Sequence, residues 1–395
     1  MTASKRQLYR LMILTVALLV AVAFVSVLDA HAWTRPAPPA PSPLLAALLR
    51  LLALTGLLAG GLYAIAAERA DGQLIAVRWL LALVVAWALL PLAWIVAHLA
   101  LIDAARPLLV AEGVLLGLWA YVGWRSLPAQ RISRVWCVAL AVDAGLALLL
   151  VALDTALLAE LRLYTAQTVM ALALGYWLMH RFSNITPFWR DQSIAVIAPL
   201  LATTGVLLAL APEVRLAGFA LAVVAPLALM LTAAHSYRAL SDRNSSRTLA
   251  AHWTALALIL WLLALGALAP LTRYPDAITT VTGTQLDAVR ESLAGWALVA
   301  VGLGTVNQAV AEMRGQNRRI TGLLPFWLVC FGLLGAALAL AGAGLVQVYV
   351  ERLLNAGAAE THRTILTLYR LRLAGTVAVL LGTLIYALGF TARRL

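Results

Sequence analysis

The side chains of this sequence that could take part in chemistry are a few charged residues inside long apolar runs. Asp143 lies close to the middle of one run, Arg50 about two turns inside a second, and Glu112 about one turn inside a third. A charged side chain at mid-bilayer costs at least about 2.5 kcal/mol on insertion scales, so each should face neighbouring helices and have a partner there. Asp143 is therefore a candidate for a proton or ion path, or for the counter-charge of a substrate.

The same residues also have structural interpretations. Asp143 could form an interhelical ion pair, or stay protonated and hydrogen-bond to a neighbour. Arg50 and Glu112 both lie near the outer third of their runs, which favours an ion pair between them. We predict hydrogen bonds between helices for three further amide side chains inside apolar runs, which are Asn307, Gln308 and Gln347.

The sequence contains six histidines, and they limit which metal or heme sites the chain could form. His98 lies at the outer end of an apolar run and is a candidate axial ligand for one b-type heme, because imidazole binds heme iron well. His180, His235 and His252 lie at the ends of runs near the opposite face. These three either approach one another as a metal or heme site, or contact headgroups and helix-end carbonyls. The other histidines fall in predicted outer loops, and they are His31 and His362.

Composition places the chain in a membrane. Apolar residues make up 63% of the sequence and charged residues only 12%, about half the charged share of a soluble domain. The net charge of +12 does not indicate a nucleic-acid partner, because the arginines fall in short gaps between apolar runs. The lipid bilayer is the partner that this composition predicts. Cys137 and Cys330 lack CxxC spacing and are predicted to be small buried residues.

The apolar runs predict an all-α, polytopic membrane helix bundle of about 12 spans in a single integral-membrane domain, residues 1–395. Spans one to five occupy residues 1–160, and spans six to twelve occupy residues 160–395. The first run is longer than a typical signal-peptide core, so we interpret it as an uncleaved span. The predicted spans lie at about 9–30, 43–67, 76–102, 108–127, 134–157, 163–181, 192–211, 214–237, 250–272, 286–311, 322–349 and 365–391.

The distribution of basic residues predicts the orientation. Eighteen Lys and Arg residues fall on the side that holds the N-terminus, and ten on the other side, among them Arg162, Arg290 and Arg372. Because basic loops stay in the cytoplasm, both termini are predicted to be cytoplasmic.

Two other residue types predict how the spans are placed. Most tryptophans lie near span ends and are interpreted as interfacial anchors, among them Trp119, Trp124, Trp136, Trp253 and Trp327. Small residues predict close helix approach in spans two, four and eleven, at Gly56, Gly60, Gly61, Gly113, Gly117, Gly342 and Gly344.

The second half of the chain resembles a known family. Residues 280–390 hold three long runs with a Gly295-Trp296 pair in the first, and the segments 164–181, 226–235 and 253–269 continue the pattern. Their order and small-residue spacing resemble the catalytic subunit I of heme–copper oxidases, in its cbb3-type or nitric-oxide-reductase-like branch. Gln167 falls near the position of a copper-binding histidine in that family.

The resemblance implies a respiratory, electron-transport protein of the bacterial cytoplasmic (inner) membrane. In that family, histidines on spans two and ten bind one heme. Another histidine on span ten binds a second heme, and histidines on spans six and seven bind the metal that faces this second heme. Spans two, seven and ten of this chain contain no histidine, and the amide of Gln167 replaces an imidazole poorly. We therefore predict a non-catalytic relative, a structural or partner-binding component of an electron-transport complex with no expected cofactor. Bulky Leu, Trp and Phe side chains should fill the heme spaces.

Two alternatives remain open. The chain could be a twelve-span secondary transporter that couples to protons through Asp143, although no corresponding pair of short, Pro/Gly-broken spans marks two halves. It could also be a membrane protein that binds a single heme through His98.

Overall fold

The computed structural model describes residues 3–35, 42–69, 74, 77–127, 131–153, 162–182, 246–273, 283–315 and 321–392. Every regular element in these residues is a helix, and no strand occurs among them. The predicted all-α class is thus confirmed for this part of the chain.

The described residues form ten α-helices. Arg162–Gln167 is a π-helical segment that leads into α6, and Tyr349–Leu353 is another that extends α9. The ten helices are α1 (Ala3–Ala32), α2 (Pro43–Glu68), α3 (Val77–Leu99), α4 (Ala105–Arg125), α5 (Arg131–Leu153), α6 (Thr168–Phe182), α7 (Ser246–Arg273), α8 (Gly283–Met313), α9 (Leu324–Val348) and α10 (Ala358–Ala392).

Eight of these helices are long and apolar enough to cross a membrane, namely α1–α5 and α8–α10. Shorter apolar stretches lie within α6 and α7. Helices α1–α6 coincide with predicted spans one to six, and α7–α10 with spans nine to twelve. The predicted seventh and eighth spans, together with His235, lie outside the described residues. The chain is therefore a helical membrane protein, and its total of twelve spans stays a prediction.

Helices α2 and α8 form the centre of the described bundle. Residues 51–66 of α2 and 293–311 of α8 are all buried. Helices α1, α6, α7 and α9 pack against α8 or α2, and α10 packs against α1 and α9. The outer helices keep large apolar side chains exposed, as Leu338 of α9 and Leu388 of α10 show. Apolar residues on an outward face are expected where lipid replaces water as the solvent.

Glycines set the distance between the two central helices. A Cβ added to Gly302 of α8 would lie 2.9 Å from the Cα of Gly56 on α2. The two backbones are therefore in direct contact, as the predicted packing of Gly56 requires. Gly113 also packs closely, against Leu148, but Gly117 meets no neighbour within 4 Å.

The close contact between α9 and α10 lies elsewhere than predicted. A Cβ on Gly332 would lie 2.6 Å from the carbonyl oxygen of Gly375, whereas Gly342 has only ordinary contact with Leu368. The small-residue pattern therefore identified the right helix but the wrong turn.

Tryptophan placement corrects the anchor interpretation. Trp119, Trp136 and Trp253 are almost fully buried, while Trp124 and Trp327 are exposed. Trp136 lies over Gly61, and Trp253 stacks edge-on against Phe326. The prediction was wrong for the three buried rings because they lie inside the bundle and are shielded from the membrane interface.

The three amide side chains each donate a hydrogen bond within their own helical stretch. Asn307 donates to the Leu303 carbonyl at 2.7 Å, Gln308 to Glu312 at 2.9 Å, and Gln347 to Glu351 at 3.1 Å. Glu312 also accepts from the Tyr63 hydroxyl at 2.7 Å, so Gln308 belongs to a group that joins α8 to α2. Direct bonds from the three amides to other helices stay a prediction.

The beginning of α1 and the end of α10 meet at one end of the bundle. The rings of Tyr9 and Phe390 stack at 6.1 Å. Arg314, just after α8, donates to the Tyr9 hydroxyl at 3.2 Å and to the Phe390 carbonyl at 3.1 Å. We call this the Tyr9 end. The opposite end, where α1 finishes and α2 and α8 begin, is the Asp29 end.

Replacing Gly302 with alanine is expected to lower the thermal unfolding temperature in detergent. The new Cβ would meet backbone, so α2 and α8 would have to separate, and overpacking of this kind costs about 1–3 kcal/mol. Gly117→Ala is the matched control, because nothing lies within 4 Å of its added Cβ. Equal unfolding temperatures for the two variants would contradict the contact between the central helices.

Candidate functional site: an arginine-lined cavity

A buried network of charges joins four parts of the bundle. Arg50 comes from α2, Glu112 from α4, Asp143 from α5, and Arg162 from the π-helical segment before α6. The side chains of Glu112 and Asp143 are fully buried, and that of Arg162 is 2% exposed. Short π-helical segments occur often at functional sites, because the wider turn displaces side chains from the regular helical positions.

Arg162 is the centre of this network. Its Nη2 donates to Glu112 Oε1 at 2.7 Å and to Asp143 Oδ2 at 3.2 Å, and its Nε donates to Asp143 Oδ1 at 3.1 Å. Arg50 donates to the other Glu112 oxygen at 3.2 Å. Gln167 adds an amide donor to Asp143 at 3.3 Å. Two cations and two carboxylates thus balance in one connected group.

The position of Arg162 makes this balance necessary. A cation at the beginning of a helix lies at the unfavourable, positive end of the helix dipole. Burial removes the water that would otherwise solvate its charge. The two carboxylates replace that solvation with charge-assisted hydrogen bonds, which are about twice as strong as neutral ones.

A cavity of about 400 Å³ lies beside the network, toward the Asp29 end. Its walls come from α1, α2, α8, α9, α10, the π-helical segment before α6, and one residue of α5. A volume of this size falls in the range of small-molecule binding sites, which are mostly apolar with a few placed polar groups.

Four arginines from four elements line this cavity: Arg50, Arg162, Arg290 and Arg372. Among the described lining residues, the carboxylates are Asp29 and Glu291. Glu112 and Asp143 do not line the cavity, so Arg50 and Arg162 lie between these carboxylates and the open space. The described wall therefore presents more positive than negative charge.

Arg372 is held by a second ion pair. Its Nη2 donates to Asp29 Oδ2 at 2.7 Å, which joins α10 to α1. Its guanidinium carbon lies 5.7 Å from the ring centroid of Trp33, within the range of a cation–π contact. The carboxylate and the ring fix this arginine at the cavity wall.

Three of the lining arginines keep unused donor nitrogens. Arg50 Nε, Arg162 Nη1 and Arg372 Nη1 are buried and have no hydrogen-bond partner in the described part of the protein. A buried donor without a partner costs about 1–3 kcal/mol. An anion in the cavity is the group best suited to accept from these nitrogens, because guanidinium binds carboxylate and phosphate with paired hydrogen bonds.

The structure confirms the predicted Arg50–Glu112 ion pair and brings Asp143 and Gln167 into the same network. His98 is exposed at the end of α3 and does not line the cavity.

Sequence reasoning missed Arg162. It had interpreted this residue as an outer-loop charge, because an arginine just before an apolar run is typical of a span boundary. The available signal was charge balance, since Arg50 alone cannot neutralise both Glu112 and Asp143.

The same correction applies to two other arginines that were counted as outer-loop charges. The side chains of Arg290 and Arg372 are only 5% and 12% exposed. Without Arg162, Arg290 and Arg372, the count on that side falls from ten to seven against eighteen. The bias on which the orientation prediction rests becomes larger.

The remaining histidines do not assemble a metal centre among the described residues. His252 donates through Nδ1 to the Thr248 carbonyl at 2.6 Å, and its ring packs edge-on against Phe326. This is the helix-end environment that was one of its two predicted interpretations. The side chain of His180 lies outside the described residues.

A heme of the resembled family would lie between spans two and ten, which are α2 and α8. Neither helix carries a histidine. The Gly56–Gly302 contact brings their backbones together, so a porphyrin does not fit between them at that level. At another level, Leu49 of α2 packs against Gly295 of α8. The expectation that bulky side chains fill the heme spaces stays a prediction.

No protein-family model matches the sequence, and no curated protein matches it at a significant level. The resemblance to the oxidase subunit therefore rests on the quoted residues alone and stays a prediction.

Arg162→Gln is expected to lower the yield of folded protein and its unfolding temperature. The change leaves Asp143 without a cation, and breaking a buried pair costs about 3–5 kcal/mol. The double variant Arg162→Gln, Asp143→Asn removes one cation and one carboxylate, keeps the Arg50–Glu112 pair, and should recover much of the loss. Thermal unfolding in one detergent compares the two variants. If the double variant is no more stable than the single one, the ion network is not what holds these helices together.

Proposed function

We propose that this protein is an integral membrane protein that binds an anionic ligand in the arginine-lined cavity. The observation that carries the proposal is that Arg50, Arg162 and Arg372 all line one cavity. Each of them also keeps a buried donor nitrogen that has no hydrogen-bond partner in the described residues.

The arrangement of charges supports anion binding in particular. Glu112 and Asp143 hold Arg50 and Arg162 from behind, so these guanidinium groups are oriented before the ligand arrives. Preorganised groups lose less conformational freedom on binding, which raises affinity. In this proposal Asp143 is a positioning residue for Arg162. Proton coupling through Asp143, the earlier transporter hypothesis, would require a proton to compete with that guanidinium.

The basic-residue count orients the proposed site. With both termini in the cytoplasm, the Asp29 end faces the outside of the membrane, which in a bacterium is the periplasm. The ligand would then reach the cavity from outside the cell or from the outer leaflet.

Charge-selective binding tests the proposal. Protein in nanodiscs of zwitterionic lipid is titrated with phosphate, decanoate and decyl phosphate, and with decyltrimethylammonium as the cationic counterpart. At least one anion should raise the unfolding temperature, and the cation should not.

The variant Arg372→Gln should weaken anion binding at least tenfold. Arg370→Gln is the matched control, because Arg370 is exposed on the same helix and does not line the cavity. Equal binding by both variants, or no binding of any anion by the wild type, would reject the proposed function.

A non-catalytic relative of oxidase subunit I is the second proposal. It is supported by the sequence resemblance of residues 160–395 and by the absence of histidine from spans two, seven and ten. Purified protein is expected to show no high-spin heme or copper signal and no reduction of oxygen or nitric oxide. A stoichiometric two-heme absorption spectrum would overturn it. A single low-spin heme lost in His98→Ala would instead support the heme-binding alternative.

A further inference from the structure

We infer that the ligand of this cavity is an amphipathic anion, with a phosphate or carboxylate head and a single apolar chain or ring system. The inference rests on the proposed function and specifies its ligand class. It follows from the distribution of polar and apolar walls around the cavity.

One wall is charged. Arg50 and Arg162 line the side formed by α2 and the segment before α6, and Arg372 lines the Asp29 end. Each of the three has a buried donor that the described protein groups leave unused. A phosphate or carboxylate head suits this lining, because guanidinium groups bind such anions with paired, charge-assisted hydrogen bonds.

The wall contributed by α9 is apolar. Its lining residues are Leu333, Ala336, Ala337 and Leu340, and none has a polar side-chain atom. Leu298 of α8 and Val379 of α10 continue the same surface. A small inorganic anion would leave this surface without a partner, whereas an apolar group bound to the anion would cover it.

The length of the cavity agrees with an extended ligand. Its lining residues on α8 run from Ala288 to Leu298, which is about 15 Å along the helix at about 1.5 Å per residue. Its volume of about 400 Å³ exceeds that of a phosphate ion several times. A two-chain phospholipid would have to leave most of its volume outside a cavity of this size, so the volume favours one chain.

Binding of decyl phosphate and of inorganic phosphate to the wild-type protein in zwitterionic nanodiscs separates these ligand classes. Decyl glucoside and the Arg372→Gln variant correct for partition of the chain into the bilayer. Decyl phosphate is expected to bind at least tenfold more tightly than phosphate. Equal affinities would overturn this inference and leave the proposed function intact, whereas no binding of phosphate, decyl phosphate or decanoate would reject both.

A change in the apolar wall provides an independent measurement. Ala337→Phe should fill the space beside α9, weakening decyl phosphate binding at least tenfold without weakening phosphate binding. Leu338→Phe is the matched control, because Leu338 is 71% exposed on the outer face of α9. If Ala337→Phe does not fold, Ala336→Phe alters the same wall. Unchanged decyl phosphate binding in a folded variant would contradict an apolar subsite at α9.

A competition experiment with a bilayer lipid identifies the source of the ligand. Phosphatidic acid added to the nanodisc lipid is expected not to displace decyl phosphate, because its second chain cannot be enclosed. Displacement by phosphatidic acid would assign the site to the headgroup of a bilayer lipid and overturn the single-chain inference.

Discussion

Charge balance in a membrane interior is the constraint on which the structure of this protein depends. Arg162, Glu112 and Asp143 are all buried, and each would be costly there without the others. Because they come from the start of α6, from α4 and from α5, their pairing requires those elements to meet. Arg50 extends the same requirement to α2. The charges of the ion network balance one another, and their pairing also determines which helices lie next to each other.

Backbone contact between α2 and α8 determines where open space can exist. At Gly56 and Gly302 the central helices approach too closely to admit any planar cofactor. The space lies instead toward the Asp29 end, between this central pair and the outer helices α1, α9 and α10. The carboxylates of the network lie behind Arg50 and Arg162, so this space is lined by arginines from four elements together with the apolar residues of α9. Its shape and charge follow from helix packing rather than from a local motif.

Much of the fold could be predicted from apolar runs, since the lipid environment requires helices of membrane length. The boundaries of α2, predicted at 43–67 and observed at Pro43–Glu68, show how directly the runs translate into helices. The Arg50–Glu112 pair was also predicted, because two opposite charges at similar depth need each other. The role of Arg162 was not predicted, since a cation beside an apolar run looks the same whether it contacts headgroups or turns inward. Trp136 was misplaced for a similar reason, because its position near a span end does not show whether Gly61 leaves room for it.

The sequence by itself determined that this is a helical membrane protein and that Asp143, Glu112 and Arg50 need partners within it. Those conclusions depend only on composition and on the cost of placing charge in hydrocarbon. The tertiary structure alone decided which cation neutralises Asp143 and which helices enclose a cavity. It also decided that the central pair of helices touches through glycine. These properties arise from contacts between residues far apart in the chain, such as Asp29 with Arg372, and no local pattern of residues specifies them.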